Sequence, residues 1–123
     1  MTVIVRDDGF HADDYVGTTA IDIASDTKPE DLPDVSGADL VRVAFPAFSD
    51  GRGFTLARHL RAVGYPGRLR AKGHVIADQY AMARRVGFDE VEISDELAER
   101  QPAEQWIYRA DWREHDYRSR VRA

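Results

Sequence analysis

Three side chains near the middle of this 123-residue chain have the types that proton transfer needs: Asp50, His74 and Asp78. A carboxylate and an imidazole held within hydrogen-bond reach can exchange a proton near neutral pH. His74 and Asp78 are four residues apart, so they share a face and can pair if a helix starts at His74. Around them stand Ser49, Gly51, Arg52, Arg70 and Lys72, which suit an anion. The arginines and the lysine supply charge, and Ser49-Asp50-Gly51 is the kind of stretch that opens a helix, whose N–H groups point at a bound anion. Each group also has a plain structural use. Asp50 is a helix N-cap by type, His74 can bond a backbone carbonyl at a strand end, and strand alternation can aim Arg70 to either side.

The elements that must position these residues alternate along the chain. Leu40 to Phe45 is a mostly apolar run, the pattern of a strand buried on both faces. Ser49 and Asp50 are cap candidates for the helical stripe Leu56, Leu60, Val63, which Gly64 ends. Leu69 to Lys72 alternates as a strand, and a helix is expected over Val75 to Val86, stopped by Gly87. Glu90 to Ile93 alternates again, and Ser94 can cap a further helix that Pro102 interrupts and Ala103 resumes. The segments Arg61-Ala62-Val63-Gly64-Tyr65 and Arg84-Arg85-Val86-Gly87-Phe88 share the pattern Arg-x-Val-Gly-aromatic at two helix ends. In both, the glycine suits the left-handed position after the last turn, with the aromatic folding back on the helix.

Earlier in the chain, Thr18 to Ile23 suits a strand, and Thr27 with Pro29 and Glu30 suits the start of a short helix. Val3-Ile4-Val5 is a candidate edge strand, and the aspartates of 7–14 read as a solvated turn without calcium-loop spacing. The expectation is one small α/β domain over residues 1–123, with a mostly parallel sheet of four or five strands built from βαβ units. A partial TIM-like barrel is the alternative. Residues 1–17 are expected at the periphery and 113–123 as a frayed tail. Ligands of open parallel sheets sit beyond the carboxyl ends of the strands, which selects the candidate residues above, with Phe48, Gly73, Ser94 and Asp95 beside them.

Charge is divided along the chain. Residues 1–40 carry two basic and ten acidic groups, residues 41–88 nine basic and two acidic, and residues 89–123 six basic and ten acidic. The central segment, net +7, either pairs with its acidic flanks or faces an anionic ligand or partner. There is no cysteine, which excludes disulfides, thiolate metal sites and cysteine nucleophiles. The four histidines lack metal-ligand spacing, so no metal is expected. There is no dinucleotide fingerprint, Walker loop or nucleophile elbow, so no cofactor is expected. Aromatic residues do not interleave with the basic ones, which argues against nucleic acid. With no long apolar run and no signal-like start, no membrane contact and a cytoplasmic location are expected. Self-association into a homo-oligomer is left open.

The runs FPAFSDGRGFTLARHLR and GRLRAKGHVIADQYAMARRVGFDEVEI resemble a bacterial family known only as domain of unknown function 934. The resemblance is carried by Phe45, Pro46, Phe48, Asp50, Gly51, Arg52, Gly53, Ala57, Arg58, Leu60, Arg61, Arg70, Ala71, Gly73, Val75, Asp78 and Gln79. His74 departs from it, since many relatives have aspartate there, and Asp78 is then the steadier candidate. The resemblance implies a genomic setting beside siroheme-dependent sulfite reductase in assimilatory sulfate reduction. The expected function is an accessory protein of that pathway, acting by binding the siroheme-dependent sulfite reductase or a small oxyanion. The alternative is a small enzyme using Asp50, His74 and Asp78 for acid–base chemistry, with Arg52 and Arg70 holding an anionic substrate. A structural subunit whose arginine–aspartate contacts hold loops is the third reading.

Overall fold

A computed structural model describes residues 2–110, and the expected tail of 113–123 lies outside them. Six strands are joined by four helices in the order β1 (Thr2–Arg6), β2 (Gly9–His11), β3 (Ala20–Ile23), β4 (Leu40–Phe45), α1 (Arg52–Ala62), β5 (Arg68–Gly73), α2 (Tyr80–Val86), β6 (Glu90–Ser94), α3 (Asp95–Arg100) and α4 (Ala103–Tyr108). The strands form one open sheet in the order β2-β1-β6-β5-β4-β3. β3 to β6 are parallel, as the βαβ reading requires. The sheet as a whole is mixed, because β1 runs antiparallel to both β6 and β2. The expectation of four or five mostly parallel strands is therefore corrected to six mixed ones, and the open order excludes closure into a barrel.

β1 lies inside the sheet rather than at its edge, and Ile4 and Val5 are fully buried. The turn of Asp7 and Asp8 leads to Gly9, whose φ of 126° lets the chain reverse and pair with β1.

Each step from β3 to β6 moves to the adjacent strand in one direction. Right-handed crossovers then put every connection on the same face. Val41, Val43, Phe45, Leu69, Ala71, Val91 and Ile93 point to that face and share one core with Leu56, Leu60, Tyr80, Phe88 and Trp106. β4 is thus not buried on both sides. Its alternate residues Arg42 and Ala44 are half-buried on the opposite face, which carries no helix from these crossovers.

Local sequence fixes the helix ends as the repeated pattern predicts. After α1, Tyr65 N–H donates to Leu60 O and Gly64 N–H to Arg61 O, with Gly64 at φ 95°. After α2, Phe88 N–H donates to Ala83 O and Gly87 N–H to Arg84 O, with Gly87 at φ 117°. Both are Schellman ends. The arginines of the pattern repeat too: Arg61 Nη1 donates to Tyr65 O at 2.9 Å and Arg84 Nη1 to Phe88 O at 2.6 Å. Ser94 caps α3 by accepting from Leu97 N–H. The segment after Thr27 forms only a 3₁₀ turn, Pro29–Asp31, with Lys28 rather than Thr27 at its N-cap.

Candidate functional site

The carboxyl ends of β4 and β5 are tied together by backbone. Gly73 has φ 127°, and a Cβ there would sit 2.4 Å from Phe45 O, so only glycine fits. That close approach lets His74 N–H donate to Phe45 O at 2.8 Å. The His74 ring then donates from Nδ1 to Pro46 O, also at 2.8 Å, which leaves Nε2 of the neutral ring as an acceptor. The expected turn after β5 differs in detail. A 3₁₀ turn, Ala77–Gln79, precedes α2, so no helix starts at His74.

The three candidates for proton transfer have separate commitments. Asp50 is not the cap of α1, because Gly51 holds that position without a side-chain bond. Asp50 instead grips Arg52. Its Oδ1 accepts from the Arg52 backbone N–H and Nε, and its Oδ2 accepts from Nη2 at 2.7 Å. The guanidinium, and then the backbone N–H, hold this carboxyl well below the usual carboxylate range. A carboxylate held so strongly in its ionised form is a poor base and no acid near neutral pH. Arg52 Nη2 also reaches Ser25 Oγ at 3.3 Å, so its charge is spent locally. Asp78 is 72% exposed and pairs with Arg109 at 2.5 Å. His74 bonds Pro46 rather than Asp78.

Arg70, expected to hold an anion, is a core residue with a side chain 0% exposed. It sits on the sheet face opposite the helices, between two buried carboxylates of β6: Nε donates to Glu90 Oε2 at 2.6 Å and Nη1 to Glu92 Oε1 at 2.8 Å. Asp13 closes over it, accepting at 3.2 and 3.3 Å. Burial opposes the charge, yet the bonds it donates to Asp13 and Glu90 outweigh that and raise its pKa. Asp14 beside it accepts from Arg6 and Arg68. Residues 13 and 14 stay solvent-exposed, as expected of a solvated turn, and also form an acidic cover for three arginines. The positive middle segment largely pairs with the acidic flanks: Arg42 with Asp22, Arg61 with Asp89, Arg84 with Asp7.

Lys72 is the departure from this pattern. It lies on the same face as Arg70 by strand alternation, and its side chain is 47% exposed. Its ion pair with Glu92 Oε2 spans 3.9 Å, beyond hydrogen-bond reach, while Glu92 Oε1 accepts from Arg70. Lys72 and His74 form one wall of a cleft of about 390 Å³ on the open sheet face. Ala44 and Pro46 lie beside them, and the bidentate pair of Arg42 with Asp22 forms the opposite wall. Sequence reasoning missed Asp22, Arg42 and Ala44, since only the register Asp22↔Arg42↔Arg70 shows which residues neighbour one another. Gln79 was also missed. Its amide donates to Phe48 O at 2.6 Å and accepts from Ile76 N–H at 3.0 Å, clamping the loop after β4 to the turn after β5. Ser49 and Gly51 are exposed in that loop, on the other side of Pro46 in sequence, and do not line the cleft.

Residues 20–123 match the model of a family described as bacterial protein of unknown function (DUF934). The chain belongs to this family. Comparison with curated proteins gives no match, and comparison with solved structures gives none either. The match spans the parallel strands β3 to β6 and begins after the antiparallel pair β1 and β2. Among the described residues no cluster of His, Cys, Asp or Glu is placed to hold a metal ion. No helix among them is long and apolar enough to cross a membrane.

Proposed function

We propose that this chain acts by binding a small anion in the cleft on the open sheet face, as an accessory to assimilatory sulfite reduction rather than as its catalyst. One observation carries the reading. Asp50, His74 and Asp78 are each engaged by a different partner, while Lys72, hydrogen-bonded to no carboxylate among the described residues, stands at a single cleft. Grouping without proton-transfer geometry favours recognition over turnover. The pathway rests on the resemblance carried by Asp50, Gly51, Arg52, Gly53 and their companions, and the siroheme-dependent sulfite reductase is the protein partner it points to.

Two measurements test this together. Calorimetry of the purified protein with sulfite, sulfate, phosphate and acetate should give binding of at least one anion, lost in Lys72→Ala. A deletion strain should fail on sulfate and sulfite, recover on sulfide, and be rescued by Asp78→Asn but not by Lys72→Glu. Loss of rescue by Asp78→Asn in a folded protein would instead favour the enzyme reading.

A further inference from the structure

The size and lining of the cleft say more about the anion than its charge does. An inorganic tetrahedral oxyanion takes the space of only a few waters, each about 30 Å³ in the liquid. The cleft, at about 390 Å³, is several times larger and lies in the range of small-molecule pockets. Its surface is mainly apolar. Ala44 and Pro46 face it, and the methylene stems of Arg42 and Lys72 extend along such surfaces while their charged heads reach water. The charges are placed asymmetrically. Arg42 is neutralised by two hydrogen bonds to Asp22, at 2.6 and 3.0 Å, so that wall is a closed pair. The opposite wall offers Lys72, whose ammonium lies 3.9 Å from Glu92 Oε2 and is not hydrogen-bonded to it. One cationic end facing an apolar floor is the pattern for an amphipathic anion.

We propose that the cleft takes a small organic carboxylate, with its carboxylate on Lys72 and its apolar body along Ala44 and Pro46. This rests on the anion-binding reading and narrows it to a ligand class. The β4 alanine is central to it, since a larger side chain at position 44 would occupy the floor.

The test is a calorimetric series on the wild-type chain with acetate, butyrate, hexanoate, hexanamide, sulfite and sulfate. Affinity is expected to rise by up to about fourfold per added methylene, the ratio for burying one CH₂. Hexanamide, which lacks the charge, should bind at least about tenfold more weakly than hexanoate. Lys72→Ala should lower hexanoate affinity by about tenfold, and Ala44→Leu should abolish it. Lys72→Ala keeps the test alive if Ala44→Leu fails to fold. Inorganic anions binding as tightly as hexanoate, with no rise from acetate to hexanoate, would overturn the organic ligand and leave the anion reading standing. Absence of binding across the whole series would remove both.

Discussion

Arg70 and Lys72 are two residues apart on β5 and point to the same face of the sheet, yet the chain treats them in opposite ways. Arg70 is enclosed by Glu90, Glu92 and Asp13, with no exposed surface. Lys72 stands at the rim of a cleft with Glu92 Oε2 3.9 Å away. The difference comes from what lies above each. The segment carrying Asp13 and Asp14 crosses over the amino-terminal half of the open face, where Arg6, Arg68 and Arg70 gather. It leaves the carboxyl-terminal half uncovered. A cation in a parallel sheet is therefore not a ligand group by type alone. It becomes one where the described residues leave it without a hydrogen-bonded carboxylate.

The contrast predicts unequal effects. Arg70→Ala leaves two buried carboxylates short of a partner and should cost about 3–5 kcal/mol in denaturant unfolding. Arg42→Ala breaks an ion pair whose aspartate is largely exposed and should cost about 1 kcal/mol or less. Equal losses for the two would erase the distinction between a structural network and an open cleft.

Acid should act on the network in a similar direction. Hydrogen bonds from Arg6 and then Arg68 hold the Asp14 carboxyl well below its ordinary range, and Arg70 lowers Asp13. A depressed folded-state value means that the stabilisation is complete above the unfolded value, about 3.9. It is then lost as pH falls through the folded value. Wild type should therefore exceed Asp14→Asn in stability at neutral pH, and the gap should narrow as pH falls below about 4. A gap that is unchanged from pH 7 to pH 3 would contradict this role for Asp14.

The smallest stability effect belongs to the cleft. Lys72→Ala should leave unfolding within about 0.5 kcal/mol of wild type while weakening anion binding. Destabilisation comparable to that of Arg70→Ala would place Lys72 in the network instead.

Much of the frame was legible because its signals are local. The Arg-x-Val-Gly-aromatic pattern marked two helix ends that are bonded alike, and Ser94 announced the cap of α3. β1 was legible as a strand in Val3-Ile4-Val5, but β2 and the antiparallel pairing were not recognised, although Asp8-Gly9 is a hairpin signal. The pairing of β1 with β6 joins the two ends of the fold and has no local mark. The site was legible only in part. Strand ends led to Lys72 and His74, which line one cleft, but alternation alone could not show that Arg70 would be sealed by Asp13 from 57 residues away. Nor could spacing show that the four-residue step from His74 to Asp78 crosses a 3₁₀ turn.

The central claim is that the open half of the sheet face binds and the covered half holds the fold. Amide chemical shifts of the ¹⁵N-labelled protein, titrated with hexanoate, test it most directly. The account predicts changes centred on Arg42 to Phe45 and Lys72 to His74, with Arg68 to Arg70 and Asp50 to Arg52 little affected. Changes centred on Ser49 to Arg52, or on the Arg70 network, would contradict it.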